Sequence, residues 1–117
     1  MKLPGPDHPI SIEPCRAHVV VRFGDAVVAE TEAALELKEA NYPPVFYVPR
    51  GDAKLAHYER TAHSTYCPYK GNASYFTLVD GPRRAENAVW SYEDPFPAMK
   101  QIAGYVAFYR DKVTISR

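Results

Sequence analysis

The sequence predicts a mostly-β protein, a single small antiparallel β domain carrying one or two short helices. Three observations predict it. Eleven prolines are scattered along 117 residues and leave few windows for a helix longer than about three turns. Between them lie short runs rich in β-branched and aromatic residues, several with period-two alternation. Turn residues separate these runs at intervals of roughly ten positions, the rhythm of a small all-β domain.

Each element follows in order. In "AHVVVRFGDAVVAE", an apolar run ends at Phe23, Gly24-Asp25 supplies the turn, and Ala26-Val27-Val28 returns as a hairpin. "AALELKEA", residues 33–40, has good helix propensity, but its Leu35/Leu37 alternation reads as a strand. "RGDAKLAHYER" is expected to begin with one helical turn capped by Asp52. "SYFTLVDG" sets Tyr75, Thr77 and Val79 on one face and Phe76 and Leu78 on the other, and "ENAVWSYED" is a further short strand. "PAMKQIAG", residues 97–104, has proline at its start and glycine at its end and reads as the best small helix. "GYVAFYRDKVTIS" reads as a second hairpin turning at Arg110-Asp111-Lys112.

The bulk composition narrows the function. Fourteen basic residues balance fourteen acidic ones, and no basic run is longer than Arg83-Arg84, so nucleic acid and anionic membrane surfaces are not expected partners. No stretch has the length of apolar sequence that a membrane span needs, and "MKLPGPDHPI" lacks the apolar core of a secretory signal. Cys15 and Cys67 read as free thiols, which implies a cytoplasmic protein.

The densest chemistry lies in "HSTYCPYKGNASYF", residues 63–76. Zinc would need paired Cys or His ligands at close spacing, and "CPYK" offers one cysteine, so no metal or other cofactor is expected. His63 and Cys67 are candidate catalytic groups, yet four residues of extended strand would hold them about 13 Å apart. Lys70 is better placed to lower the thiol's pKa, because Pro68 and Gly71 bracket a tight turn. A buried cysteine beside a turn, thiol chemistry and a binding role all stay open. The Walker pattern is absent, since Lys70 precedes Gly71 and no upstream glycine stands at the required spacing. A generic anion site, with Lys70 as charge and the N–H groups of Gly71-Asn72-Ala73 as donors, remains.

Aromatic residues make up 13% of the chain, nine of them tyrosine. Tyr42, Tyr47, Tyr58, Tyr66, Tyr69, Trp90 and Tyr92 sit near prolines, glycines or charges, which suits the wall of a wet pocket as well as core filler. Glu59-Arg60, beside Tyr58, offers a charge pair to orient a ligand. Asp80, Glu93 and Asp94 stand alone at turns, where solvated carboxylates are expected.

Three segments carry a resemblance. Thr65, Cys67, Pro68, Lys70, Gly71, Ala73 and Tyr75, then Trp90, Tyr92 and Pro95, then the strand Gly104–Phe108, resemble the domain of unknown function 427 family. The likeness covers residues 15–117, leaving 1–14 as an N-terminal extension. It implies an Mss4-like or β-tent fold, in which two sheets splay around a groove, and a family sometimes labelled nucleotidyltransferase-like. The chain has neither a Gly-Ser pair followed by Asp-x-Asp nor any paired-carboxylate metal site for triphosphate chemistry.

The leading expectation is therefore a binding domain for an unidentified small molecule, anionic or nucleotide-like. Its groove is expected to be lined by Cys67, Lys70, Gly71, Tyr75, Trp90 and Tyr92, with Arg60 and His63 at the rim. The alternatives are an enzyme using Cys67 as nucleophile or redox thiol, and a structural protein forming a homodimer through an exposed strand edge.

Overall fold

The computed structural model describes all residues, Met1–Arg117. Ten strands run in order as β1 (Ile10–Cys15), β2 (Val19–Phe23), β3 (Ala26–Thr31), β4 (Ala34–Glu39), β5 (Val45–Tyr47), β6 (Tyr58–Cys67), β7 (Gly71–Asp80), β8 (Arg83–Ser91), β9 (Ala107–Phe108) and β10 (Thr114–Ser116). They form three antiparallel sheets, ordered β1-β4-β5, β10-β2-β3 and β6-β7-β8-β9. Helical structure is confined to 3₁₀ turns at Arg50–Asp52, Leu55–His57 and Pro97–Ile102. No helix is long and apolar enough to cross a membrane.

The expected mostly-β architecture holds, and so do the hairpin around Gly24 and the strand across 33–40. Gly24 adopts φ +58°, a conformation the turn needs and a residue with Cβ resists. Three strands lie where the sequence reading named none: β1, β5 and β6. β6 is exposed along most of its length, so its sequence carries almost no apolar alternation. Its ladder with β7 is also interrupted between Arg60 and Ser64.

The second predicted hairpin does not form. β9 pairs with β8, whereas β10 pairs with β2 in a different sheet. Ala107 and Phe108 are both buried but in different clusters, Ala107 with Tyr75 and Tyr92 and Phe108 with Val89 and Leu78. A two-stranded hairpin with one solvated face cannot bury consecutive residues, so this segment is wedged between layers and its continuation crosses to another sheet. Asp52 does not cap a helical turn either. It ends the turn Arg50–Asp52, and its carboxylate accepts a hydrogen bond from Thr31 Oγ1 at 2.7 Å, tying that turn to β3.

Two hydrophobic clusters result. The larger collects Val19, Val21, Val28, Val48, Leu78 and Val89 between the β2-β3 hairpin and one face of the four-stranded sheet. The smaller collects Leu37, Tyr47, Tyr75, Tyr92, Met99 and Ile102 between the opposite face of that sheet and β4-β5. Alternation explains the division. Tyr75 and its cross-strand neighbour Trp90 project to one face, while Phe76 and its neighbour Val89 project to the other.

Candidate functional site: an aromatic cavity beside a buried ion pair

The site is built where the smaller cluster opens. On β4, Leu35, Leu37 and Glu39 share one face by alternation, and register sets Leu35 opposite Tyr47 and Leu37 opposite Val45 on β5. This face meets the Tyr75–Trp90 row of the four-stranded sheet. A cavity of about 250 Å³ remains between them, walled by Tyr47, Tyr75, Trp90, Tyr92 and Tyr109 and closed at one end by Glu39 and Lys70.

Lys70 arrives through the β6–β7 turn. Cys67 and Gly71 are the last paired residues of the ladder, and the Lys70 N–H donates to the Cys67 carbonyl at 3.2 Å. The Lys70 carbonyl in turn accepts from the Phe96 N–H at 3.0 Å, which holds the turn against the segment after β8. Gly71 has φ +110°, outside the range of ordinary side-chain-bearing residues, and this bend directs the lysine inward. The Lys70 side chain is only 7% exposed and its ammonium pairs with Glu39. It also lies 3.7 Å from Cys67 Sγ and 5.9 Å from the centre of the Tyr92 ring.

Glu39 takes a second hydrogen bond, 2.7 Å from His8 Nε2, and the His8 ring stacks flat on Tyr69 at 4.1 Å. The N-terminal segment thereby closes over the outer side of the ion pair. Burial alone would raise the Glu39 pKa, but the hydrogen bonds from Lys70 and His8 outweigh it and hold the carboxyl below its ordinary value. The Glu39 carboxylate thus offsets the charge of the Lys70 ammonium.

Two of the phenols are linked to each other and a third to Trp90. The Tyr75 hydroxyl lies 2.9 Å from Thr65 Oγ1 and 3.3 Å from the Tyr109 hydroxyl, and Trp90 Nε1 donates to the Tyr47 hydroxyl at 3.3 Å. Tyr109 tilts against Trp90 with ring centres 4.7 Å apart. Burial raises the pKa of Tyr47 and of Tyr92, and burial followed by the bond to Tyr75 pushes Tyr109 up to about 12. These hydroxyls therefore stay protonated through the physiological range. No buried side-chain nitrogen or oxygen lacks a partner, so the cavity offers ring faces and phenols and holds no unpaired buried charge.

Of the residues singled out in the sequence, Lys70, Tyr75, Trp90 and Tyr92 meet at this cavity, with Cys67 against the lysine. Tyr42 and Tyr47 join them, whereas Tyr58 sits with the larger core and donates to the Val28 carbonyl at 2.7 Å. Tyr66 is exposed. Gly71 shapes the turn and does not line the cavity. Gly71, Asn72 and Ala73 run as strand paired with Cys67, Tyr66 and Thr65, not as the concave turn an anion nest requires. His63 is exposed, with its ring 4.5 Å from that of Tyr75 rather than near Cys67.

Arg60 lies on the other face of the sheet, opposite Phe76, over whose ring its guanidinium sits at 4.9 Å. There it grips Glu93 with two bonds of 2.9 and 2.8 Å, and Arg50 reaches the same carboxylate at 3.1 Å. Glu93 is thus no freely solvated carboxylate. The Arg60 bonds, with Arg50 adding its charge, bring its pKa down to about 2 against the opposing effect of burial. Glu59 pairs with Arg84 and not with any group of the cavity.

Glu39, Leu37 and Tyr109 escaped the sequence reading. A signal for Glu39 existed, since extending the Leu35/Leu37 alternation by two positions puts it on the same face. No group of three or more His, Cys, Asp or Glu side chains is arranged to hold a metal ion.

Fold and cavity together define a small all-β domain with an aromatic-walled cavity between two of its sheets. Residues 11–117 match the model of a family described as "Domain of unknown function (DUF427)", and the chain belongs to that family. No curated protein matches it.

Proposed function

We propose that this domain binds a small molecule by receiving a planar ring in the cavity between β4-β5 and the four-stranded sheet. The convergence of Tyr47, Tyr75, Trp90, Tyr92 and Tyr109 around about 250 Å³ of space carries the reading. A cavity of about 150 Å³ suffices for benzene, so a ring system of one or two rings fits by size. Ring faces and protonated phenols favour stacking combined with a few polar contacts. An anion held by Lys70, expected from the sequence, has weaker support, because Glu39 already cancels that charge.

The thiol reading has less support as well. An activated cysteine needs a cation free to stabilise its thiolate, and the cation 3.7 Å from Cys67 is committed to Glu39. Reaction of Cys67 with iodoacetamide tests this; a rate no faster than that of a small-molecule thiol under the same conditions is the expected outcome. The proposal takes the two sheets around the cavity as a β-tent, Mss4-like arrangement and the setting as cytoplasmic, in keeping with two unpaired cysteines.

Trp90 is the only tryptophan, so its emission reports directly on the cavity. One- and two-ring fragments are expected to quench it saturably and to raise the melting temperature. Val45→Phe, which fills the space, is expected to abolish both effects. Failure of every fragment to move Trp90 emission at millimolar concentration rules out the ring pocket.

A further inference from the structure

We infer that the ligand carries an anionic group, a carboxylate or phosphate, and that Arg110 rather than Lys70 receives it. The inference rests on the ring-binding reading above and extends it into a two-part site.

Beyond Trp90 and Tyr109 the cavity adjoins a second one of about 230 Å³. The two share Tyr42, Val45, Trp90 and Tyr109 as common walls, and the second is floored by Pro43, Pro44, Phe46, Phe108 and Ile115. A ring seated against Trp90 and Tyr109 thus has an apolar trough leading away from it. Arg110 stands on this trough, next in the chain to Tyr109.

The two cations along this path differ in one decisive respect. Lys70 is buried and neutralised by Glu39. The Arg110 guanidinium makes one hydrogen bond, from Nη2 to the Pro44 carbonyl at 2.8 Å, and pairs with no carboxylate. That bond to a neutral acceptor orients the guanidinium over the proline wall without cancelling its charge. A guanidinium has five N–H donors in a planar fork, so enough remain to hold a carboxylate or phosphate by two parallel bonds. The other arginine beyond the trough, Arg117, faces Glu36 at 3.8 Å and is partly offset. Asp111, adjacent in sequence, forms no ion pair with Arg110 and leaves its charge available. Arg110 is solvent-exposed, so water and salt screen the contact and the expected gain is modest.

The test compares phenylacetate, 3-phenylpropanoate, 4-phenylbutanoate and 2-phenylethyl phosphate with the alcohols of the same carbon skeletons, read by Trp90 emission. One of the anions is expected to bind about three- to tenfold more tightly than its alcohol, with the preference weakening in high salt. The carboxylate and phosphate arms show which oxyanion the site prefers. Arg110→Gln is expected to erase the preference of acid over alcohol, and Arg110→Lys to restore part of it. The melting temperature and probe-free Trp90 emission of the glutamine variant, both expected to match the parent, show that it keeps its fold. Equal binding of acid and alcohol, or a preference that survives in Arg110→Gln, overturns the assignment of Arg110 and leaves the ring pocket standing. No response to any probe overturns both.

Discussion

Lys70 and Glu39, thirty-one positions apart, form an ion pair that seals one end of an aromatic cavity. The lysine reaches it from the β6–β7 turn and the glutamate from the end of β4, so the pair joins two separate sheets. Its energetics are asymmetric. Glu39 has a second partner in His8, whereas Glu39 is the one carboxylate paired with Lys70.

Removing the glutamate should therefore cost more than removing the lysine. Glu39→Leu leaves a buried ammonium without a counter-charge and is expected to destabilise the fold by about 3 kcal/mol. Lys70→Met leaves Glu39 with His8 and should cost about half of that. The double variant is expected to be more stable than Glu39→Leu alone. Urea unfolding of the three variants measures this, and additive losses would contradict the coupling.

Two carboxylates set the acid limb of stability. Glu39 and Glu93 both have folded-state pKa values below the ordinary 4.5, Glu93 at about 2. A depressed carboxylate stabilises the fold fully above its unfolded value, and the contribution is lost as pH falls through the folded one. Stability should hold steady above about pH 5 and decline towards pH 2. Glu93→Gln should flatten that decline, as followed by urea midpoints at successive pH values.

The Trp90–Tyr47 hydrogen bond is open to a single-atom test. Tyr47→Phe deletes the acceptor of the indole N–H inside the smaller core. A loss of about 1 kcal/mol is expected, modest because the 3.3 Å bond is long. The change in Trp90 emission should accompany it, since no second tryptophan obscures the signal.

Gly71 is expected to matter through its backbone. A Cβ there would meet its nearest neighbour, in the Pro95-Phe96 backbone, at an ordinary 3.6 Å, yet φ +110° is strained for any residue but glycine. Gly71→Ala should cost about 1–3 kcal/mol. It should also weaken fragment binding, because the turn that carries Lys70 must relax. Unchanged stability would show that the backbone accommodates the substitution by another route.

Much of the fold was legible along the chain, because proline spacing, alternation and turn residues act locally. The sequence by itself determined the mostly-β class, the Gly24 hairpin, the strand at 33–40 and the residues Lys70, Tyr75, Trp90 and Tyr92 as the place to look. It did not reveal β6, whose solvent-facing residues leave no hydrophobic period to detect, or the separation of β9 from β10 into different sheets. Only the tertiary structure decided the charge state of the site. Glu39 cancels Lys70, strand register sets Arg60 on the opposite face where Glu93 holds it, and Arg110 is left at the mouth of the trough without a carboxylate partner. Such pairings depend on which strands meet across the core, and charges distant in sequence become neighbours only once the sheets have packed.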